Sequence, residues 1–230
     1  MTDAPPIRFY FDYISSNAYL AWLELPKLAA KHGRRIETVP TLFAGLLGAH
    51  GQLGPAEIPA KAAWMFRNNL RKAALLGVPL SAPVHHPFNP LLSLRASAAP
   101  DSDEERGRAI SALFRAVWVD REHVSEPAVV ARVLDAVGLR GAALVARAQS
   151  PEAKQRLRDD TDAAIARGVF GVPTMIVGDE LFWGYDDFPF LDRHLAGEDP
   201  LTPDAVARWA GKSSPSAMRP EALRARAKRT

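Results

Sequence analysis

Residues 9–19, FYFDYISSNAY, join a short aromatic strand directly to an apolar helix. The connection consists of Ser15, Ser16 and Asn17, residue types that favour a helix N-terminus and stabilise it by about 1 kcal/mol. A strand that turns straight into a helix exposes backbone N–H groups and the positive end of the helix dipole, so the turn stabilises an anion. Two interpretations follow: these residues only cap the helix, or Ser15 also meets an anionic group of a ligand.

The chain of 230 residues contains no cysteine. Thioredoxin-like proteins place a reactive cysteine at such a turn, because a helix N-terminus lowers the pKa of a thiol. The absence of cysteine excludes disulfides, thiolate metal sites and a redox cycle within the chain. If the turn stabilises a thiolate, the sulfur therefore belongs to a bound cofactor, and Ser15 is the side chain that faces it.

Length and composition predict one large domain, or a domain with an insertion. The 47% of hydrophobic residues suffices for an ordinary core. No apolar run reaches the ~20 residues of a membrane span, and the N-terminus lacks the basic-then-apolar order of a signal peptide. We therefore expect a cytoplasmic protein with no membrane partner.

The positive charge is concentrated at the C-terminus. Residues 212–230 carry a net charge of +5, which leaves −2 on residues 1–211. Because the rest of the chain is close to neutral, we expect no nucleic-acid partner and predict a flexible, solvated tail. Weak contact with a polyanion is the alternative for the tail.

The apolar pattern predicts the element order β-α-β, then helices, then β-β-α. A helix is predicted from Asn17 to His32, and residues 60–168 are almost wholly helical in pattern. The two later strands flank a Gly-Asp hairpin turn. The predicted strands are Ile7–Phe11, Arg35–Val39, Thr174–Val177 and Leu181–Trp183.

Two short segments near the C-terminal strands are candidate binding elements. Pro173 lacks the N–H of a central strand residue, so it must lie at a strand's first residue or at an edge. A cis bond before it would leave the Val172 backbone free to pair with an extended peptide. Asp186 and Asp187 suit a helix start, where carboxylates complement the dipole. Alternatively, Asp186 receives an ammonium group from a peptide-like ligand.

Other chemistry finds little support in the sequence. Lys61 lies at a helix start, where a cation is unfavourable, so it is either a surface residue or the partner of an anion. The six histidines show no metal-ligand spacing, and the chain contains no phosphate-binding glycine motif or nucleophile elbow. We expect neither a metal nor a nucleotide.

Four segments, at residues 11–19, 51–61, 86–95 and 168–184, in combination resemble the glutathione-dependent 2-hydroxychromene-2-carboxylate isomerases and their kin, the kappa-class glutathione transferases. The family pattern F-D-x-x-S-P-x-[SA]-[YW] corresponds to Phe11–Tyr19, and G-N-x-x-P…P-x-K corresponds to Gly51–Lys61. His86–Arg95 and Gly168–Gly184 look like the isomerase branch. The resemblance covers about residues 7–197.

The resemblance implies an α/β fold of the DsbA-like thioredoxin type. It implies a discontinuous thioredoxin-like domain at residues 1–48 and 169–211, with an inserted helical domain at 49–168. It further implies a homodimer that isomerises 2-hydroxychromene-2-carboxylate, or a similar small aromatic catabolite, by reversible addition of the glutathione thiolate. A kappa-like transferase or peroxidase, and a non-catalytic thioredoxin-like binding module, are the alternatives.

The resemblance also implies roles for individual residues. Ser15 would hydrogen-bond the glutathione sulfur, and Val172, beside a cis Pro173, would pair with the cysteinyl backbone. The γ-glutamyl end would meet Tyr185 and Asp186, and the rest of the tripeptide would meet Gln52 and Lys61. Candidates to line the substrate slot, or simply to pack in the core, are Tyr19, Trp64 and Phe88. The substrate carboxylate would be held by Arg95 or Lys61.

Three positions depart from the family pattern. Ser16 replaces the usual proline and is expected to make the turn less rigid. Gln52 replaces asparagine and changes the reach of the side chain by one methylene. Asn69 stands where relatives often carry aspartate, which removes a charge from the predicted cleft and would alter the substrate chemistry.

Overall fold

The computed structural model describes residues 4–209. The predicted basic tail at 212–230 lies outside these residues. The boundaries of the inserted helical domain, at residues 49 and 168, remain a prediction.

A mixed four-stranded sheet forms the centre of the fold, with strand order β2-β1-β3-β4. β1 and β2 are parallel, which requires a crossover connection, and α1 (Ser16–Lys31) supplies it. β3 pairs antiparallel with both β1 and β4. The strands are β1 (Ile7–Phe11), β2 (Ile36–Pro40), β3 (Thr174–Val177) and β4 (Glu180–Trp183).

Helices fill the chain between β2 and β3, as the sequence predicts. They are α2 (Phe43–His50), α3 (Pro59–Leu76), α4 (Leu91–Ala98), α5 (Asp103–Trp118), α6 (Pro127–Asp135), α7 (Gly141–Gln149) and α8 (Pro151–Ala166). Two helices follow β4, α9 (Phe188–Leu195) and α10 (Pro203–Trp209), and 3-10 turns occur at Pro55–Glu57 and Tyr185–Asp187. Within residues 4–209, none of the helices is both long and apolar enough to cross a membrane.

β1 and β3 have the predicted bounds, and the bounds of β2 and β4 differ from the predicted ones by one residue. β2 extends through Pro40, a position that tolerates proline because β2 is an edge strand. α2 ends at His50, where Gly51 adopts a positive φ of 62°. That conformation is available to glycine at no steric cost.

Aromatic side chains fix the C-terminal end of β1. The Phe11 and Tyr13 rings lie 5.6 and 4.7 Å from that of Phe114 on α5, and all three side chains are fully buried. Trp118 on the same helix donates its indole N–H to the Tyr13 carbonyl at 2.9 Å. Packing of this density resists displacement, so the turn that follows β1 has a fixed starting point.

Candidate functional site

Ser15 is the N-cap residue of α1, as predicted. Its Oγ accepts a hydrogen bond from the Ala18 N–H at 3.1 Å, and its hydroxyl donates to the Val172 carbonyl at 3.3 Å. The second bond joins residues 157 positions apart in the chain. The structure therefore brings the turn that is expected to meet an anionic group next to the segment that is expected to pair with an extended peptide.

The Val172-Pro173 peptide bond is cis, as the resemblance implied. Pro173 directly precedes β3, and its carbonyl accepts a hydrogen bond from the Gly184 N–H at 2.8 Å. Within residues 4–209, the Val172 N–H donates no hydrogen bond. Among the described residues, Val172 thus combines an N–H that has no partner with a carbonyl that Ser15 contacts.

Gly171 allows the segment before β3 to approach β4 closely. A Cβ at this position would lie 2.6 Å from the Trp183 indole nitrogen, which is closer than real Cβ contacts. The Phe170 and Trp183 rings pack at 5.2 Å. A larger residue at 171 would therefore displace Trp183, and with it the start of the turn that carries Tyr185 and Asp186.

Lys72 of α3 is a site residue that the sequence analysis missed. Its side chain is only 10% exposed, and its Nζ lies 2.8 Å from Asp186 Oδ2 and 3.1 Å from Asn17 Oδ1. The ammonium also lies 5.6 Å from the centre of the Tyr185 ring. One buried cation thus connects α1, α3 and the 3-10 turn Tyr185–Asp187. The sequence contained a signal for Lys72: it lies eleven residues, or about three helical turns, after Lys61, so a helix places both lysines on the same side.

The two carboxylates at the 3-10 turn have separate tasks. Asp187 accepts the Trp183 N–H at 2.8 Å, a local bond that shapes the turn. The Asp186 side chain is 69% exposed despite its bond to Lys72. An exposed carboxylate with one oxygen held by a lysine can still receive an ammonium group at the other oxygen.

Two of the three departures from the family pattern contact each other. The Asn69 amide nitrogen lies 2.6 Å from Ser16 Oγ, and Asn69 is almost completely buried. Within the described residues, Asn69 Oδ1 has no hydrogen-bond partner. The hydroxyl that replaces the proline ring is therefore used to fasten α3 to the first turn of α1.

Asp12 directly follows β1 and is fully buried. Its Oδ1 accepts the Ile14 N–H at 3.1 Å and its Oδ2 accepts the Phe43 N–H at 2.9 Å, while its carbonyl accepts the Ser15 N–H at 3.1 Å. Burial raises the pKa of Asp12 to about 7, against the effect of these backbone donors. From the sequence alone, Asp12 had no predicted role.

The other predicted glutathione contacts lie at the surface. Gln52 is exposed on the loop after α2, where its N–H donates to the Leu47 carbonyl at 2.9 Å. Lys61 is exposed in the first turn of α3. The helical pattern places Lys61 and Lys72 on one side of α3.

The four candidate substrate residues are not equivalent. Tyr19 is buried, its hydroxyl donates to the Pro79 carbonyl at 2.9 Å, and this is the environment of a core residue. Trp64 is 59% exposed on α3. Arg95 bonds the Leu91 carbonyl of its own helix and borders a cavity of about 220 Å³. Burial, and then the charge of Arg158, lowers its pKa.

Phe88 belongs to an aromatic group that reaches the Ser15 turn through His86. The His86 ring lies 6.4 Å from the ring of Phe88 and 6.1 Å from that of Phe66. Its Nε2 is 3.0 Å from the Ile14 carbonyl. Phe88 is thus connected to the turn through His86, while Tyr19 donates its backbone N–H to the Ser15 carbonyl at 3.2 Å.

Residues 6–196 match the family described as DSBA-like thioredoxin domain. The chain belongs to this family. Two relatives named 2-hydroxychromene-2-carboxylate isomerase come from Sphingobium xenophagum and Pseudomonas sp. (strain C18). They are 33% and 32% identical to this chain over 82% and 83% of its length, and over 97% and 90% of their own.

Human glutathione S-transferase kappa 1 is 24% identical over 88% of this chain and 96% of its own length. A solved structure of 2-hydroxychromene-2-carboxylate isomerase has a TM-score of 0.77 at 29% identity, covering 83% of this chain and 94% of that one. The α/β thioredoxin-like fold with a helical insertion is confirmed, and so is the resemblance to the isomerases and their kappa-class kin.

Proposed function

We propose that this protein catalyses the glutathione-dependent cis-trans isomerisation of 2-hydroxychromene-2-carboxylate or a similar aromatic catabolite. The observation that carries the proposal is the position of the Ser15 hydroxyl. It lies at the N-terminus of α1 and within hydrogen-bond distance of the Val172 carbonyl. Relatives of that name, at 32–33% identity, support the choice of substrate.

The residues around Ser15 fit the cysteinyl part of glutathione. Val172 offers an N–H without a partner in the described residues and a carbonyl, the two groups that pair with an extended peptide. When a sulfur is present, the Ser15 hydroxyl would turn from the Val172 carbonyl toward it. The carbonyl would then accept the cysteinyl N–H, so the exchange leaves no backbone group unpaired.

The two ends of the tripeptide meet opposite charges. Asp186, together with Tyr185, would receive the γ-glutamyl ammonium, while Lys72 keeps the other carboxylate oxygen in place. Lys61 and Gln52 would hold the remaining part of glutathione, including a carboxylate. This arrangement requires a ligand with a positive and a negative group, as a free tripeptide has.

When bound, glutathione would supply a thiolate able to add reversibly to the conjugated double bond of the opened chromene, so that this bond could rotate while it is single. Ser15 and the α1 dipole favour thiolate over thiol, because both stabilise negative charge at the turn. Phe88, Trp64 or Tyr19 would contact the aromatic ring, and Lys61 or Arg95 the carboxylate. No residue of the chain changes oxidation state, which agrees with a sequence without cysteine.

We further propose that the enzyme is a homodimer, as the resemblance implies, and that it is cytoplasmic, as the sequence pattern predicts. Light scattering on the purified protein tests the dimer, with a mass near twice 25.1 kDa expected.

A kappa-like conjugation or peroxide reduction is the second candidate function, supported by the kappa-class relative at 24% identity. It uses the same thiolate and differs in the second substrate.

The test is the ultraviolet spectrum of 2-hydroxychromene-2-carboxylate with the enzyme, in the presence and absence of glutathione. A spectral change that requires both is the expected result. If no change occurs, calorimetry with glutathione distinguishes an enzyme of other specificity, which binds it, from a non-catalytic module. Absence of binding at millimolar glutathione would refute both enzymatic functions.

A further inference from the structure

Asp12 connects two separate segments through one buried carboxylate. Ile14, whose N–H it accepts, belongs to the turn that presents Ser15, and Phe43 is the first residue of α2. Leu42, at the N-cap position of α2, has no side chain that can cap a helix. Asp12 therefore caps α2 from a position 31 residues earlier in the chain.

The burial of this carboxylate is not compensated by a cation among the described residues. Within residues 4–209, no lysine, arginine or histidine forms a salt bridge with Asp12, and its side-chain partners are backbone N–H groups. A buried charge without a counter-ion is costly unless hydrogen bonds and a helix dipole stabilise it. A neutral asparagine would avoid that cost. Its Oδ1 could replace one of the two carboxylate oxygens, but its NH₂ group is only a donor and could not replace the other.

We propose that Asp12 is a positioning residue for the reaction at Ser15. Its carboxylate holds the Ser15 turn and the N-terminus of α2 at one fixed separation. The loop that follows α2 carries Gln52, so the same bond pair sets the position of Ser15 relative to a second predicted glutathione contact. The part of the inference that concerns glutathione rests on the proposed function; the mechanical link between the turn and α2 does not.

The sharpest test removes the α2 donor and leaves the carboxylate intact. Phe43→Pro deletes the N–H that Asp12 Oδ2 accepts, and proline is favoured at the first position of a helix. Leu42, the preceding residue, has φ −74° and ψ 107°, a conformation compatible with a following proline. Phe43→Ala is the matched control, because it loses the same ring and keeps the N–H.

Two measurements compare these variants. Relative to Phe43→Ala, we expect Phe43→Pro to raise KM for glutathione about tenfold while kcat changes less than threefold, since loss of one charge-assisted hydrogen bond is worth about that factor. We also expect backbone hydrogen exchange in residues 12–18 to become at least fivefold faster. Ser102→Ala, which removes the cap of α5 and has no contact with Asp12, should change neither quantity.

Each result decides a different statement. Equal KM values and equal exchange in Phe43→Pro and Phe43→Ala would overturn the positioning role. If the wild-type protein does not bind glutathione, the proposed function is wrong, and the exchange rates alone decide whether Asp12 holds the turn. If Phe43→Pro does not fold, Asp12→Asn replaces it, with the same exchange increase in residues 12–18 expected and an unchanged rate contradicting the proposal.

Discussion

The Ser15 turn and the 3-10 turn Tyr185–Asp187, here called the Asp186 corner, are two parts of the proposed glutathione site, and they are built in opposite ways. At the turn the charged group, Asp12, is buried and its partners are backbone N–H groups. At the corner the carboxylate is exposed and its cation, Lys72, is buried. The turn is therefore positioned by the main chain, whereas the corner depends on one long side chain.

The largest expected effect tests the cost of the buried charge at the turn. The pKa of Asp12 is about 7 in the folded protein and near 3.8 in an unfolded chain. Between these pH values the folded state holds a proton that the unfolded state has lost, so the Asp12 contribution to stability is present at pH 4 and lost as pH rises to 7. The difference is at most about 4 kcal/mol.

Urea unfolding of the wild type and Asp12→Asn at pH 4.5 and pH 8 measures this effect. Asparagine does not titrate, so the variant lacks this pH-dependent loss. The free energy of unfolding of the variant minus that of the wild type should therefore increase as pH rises. Tyr13 is the titratable side chain whose pKa responds to Asp12, and burial keeps it neutral in this range. Parallel pH dependences of the two proteins would show that Asp12 is ionised throughout.

A smaller effect separates the chemical from the structural role of Ser15. Ser15→Ala removes both the α1 cap and the donor to the proposed thiolate, and we expect kcat/KM to fall about 100-fold, as for loss of one donor in an anion-binding site. Ser150→Ala removes an equivalent cap from α8, because the Ser150 hydroxyl accepts the Ala153 N–H at 3.1 Å. Both variants should lose about 1 kcal/mol of stability, but only the first should lose activity. Equal activities of Ser15→Ala and Ser150→Ala would mean that Ser15 only caps α1.

The sequence predicted the turn far better than the corner, and the reason is the range of the interactions. Ser15 caps a residue three positions away, so the signal is local. Pro173 carries its own signal because it lacks a donor. From the sequence, Lys72 has the pattern of an ordinary surface lysine on a helix. It becomes buried only because α1 and the 3-10 turn pack around it. Asp12 had no visible role because its partner Phe43 becomes adjacent only through the parallel pairing of β1 and β2.

The corner predicts an asymmetry between the two partners of one ion pair. Asp186→Asn leaves an ammonium that is 10% exposed with weaker partners, whereas Lys72→Met leaves a carboxylate that is 69% exposed and can be hydrated. We expect the first variant to lose about 2 kcal/mol of unfolding free energy and the second less than about 1 kcal/mol. Both should weaken glutathione binding measured by calorimetry. A larger loss in Lys72→Met would contradict the assignment of the buried partner.

The smallest effect concerns the contact that links the turn to α3. Ser16→Ala deprives the buried Asn69 side chain of its hydrogen-bond partner. Asn69→Ala removes the amide that donates this bond, which leaves the buried Ser16 hydroxyl without it. If the 2.6 Å contact stabilises the fold, the double variant is more stable than the sum of the single losses by about 1 kcal/mol. Urea unfolding of the four proteins of this cycle gives that coupling directly. Additive losses would mean that Ser16 fills the place of a proline without fastening α3, and the position of the turn would then depend on its other contacts, including those of Asp12 and the aromatic core.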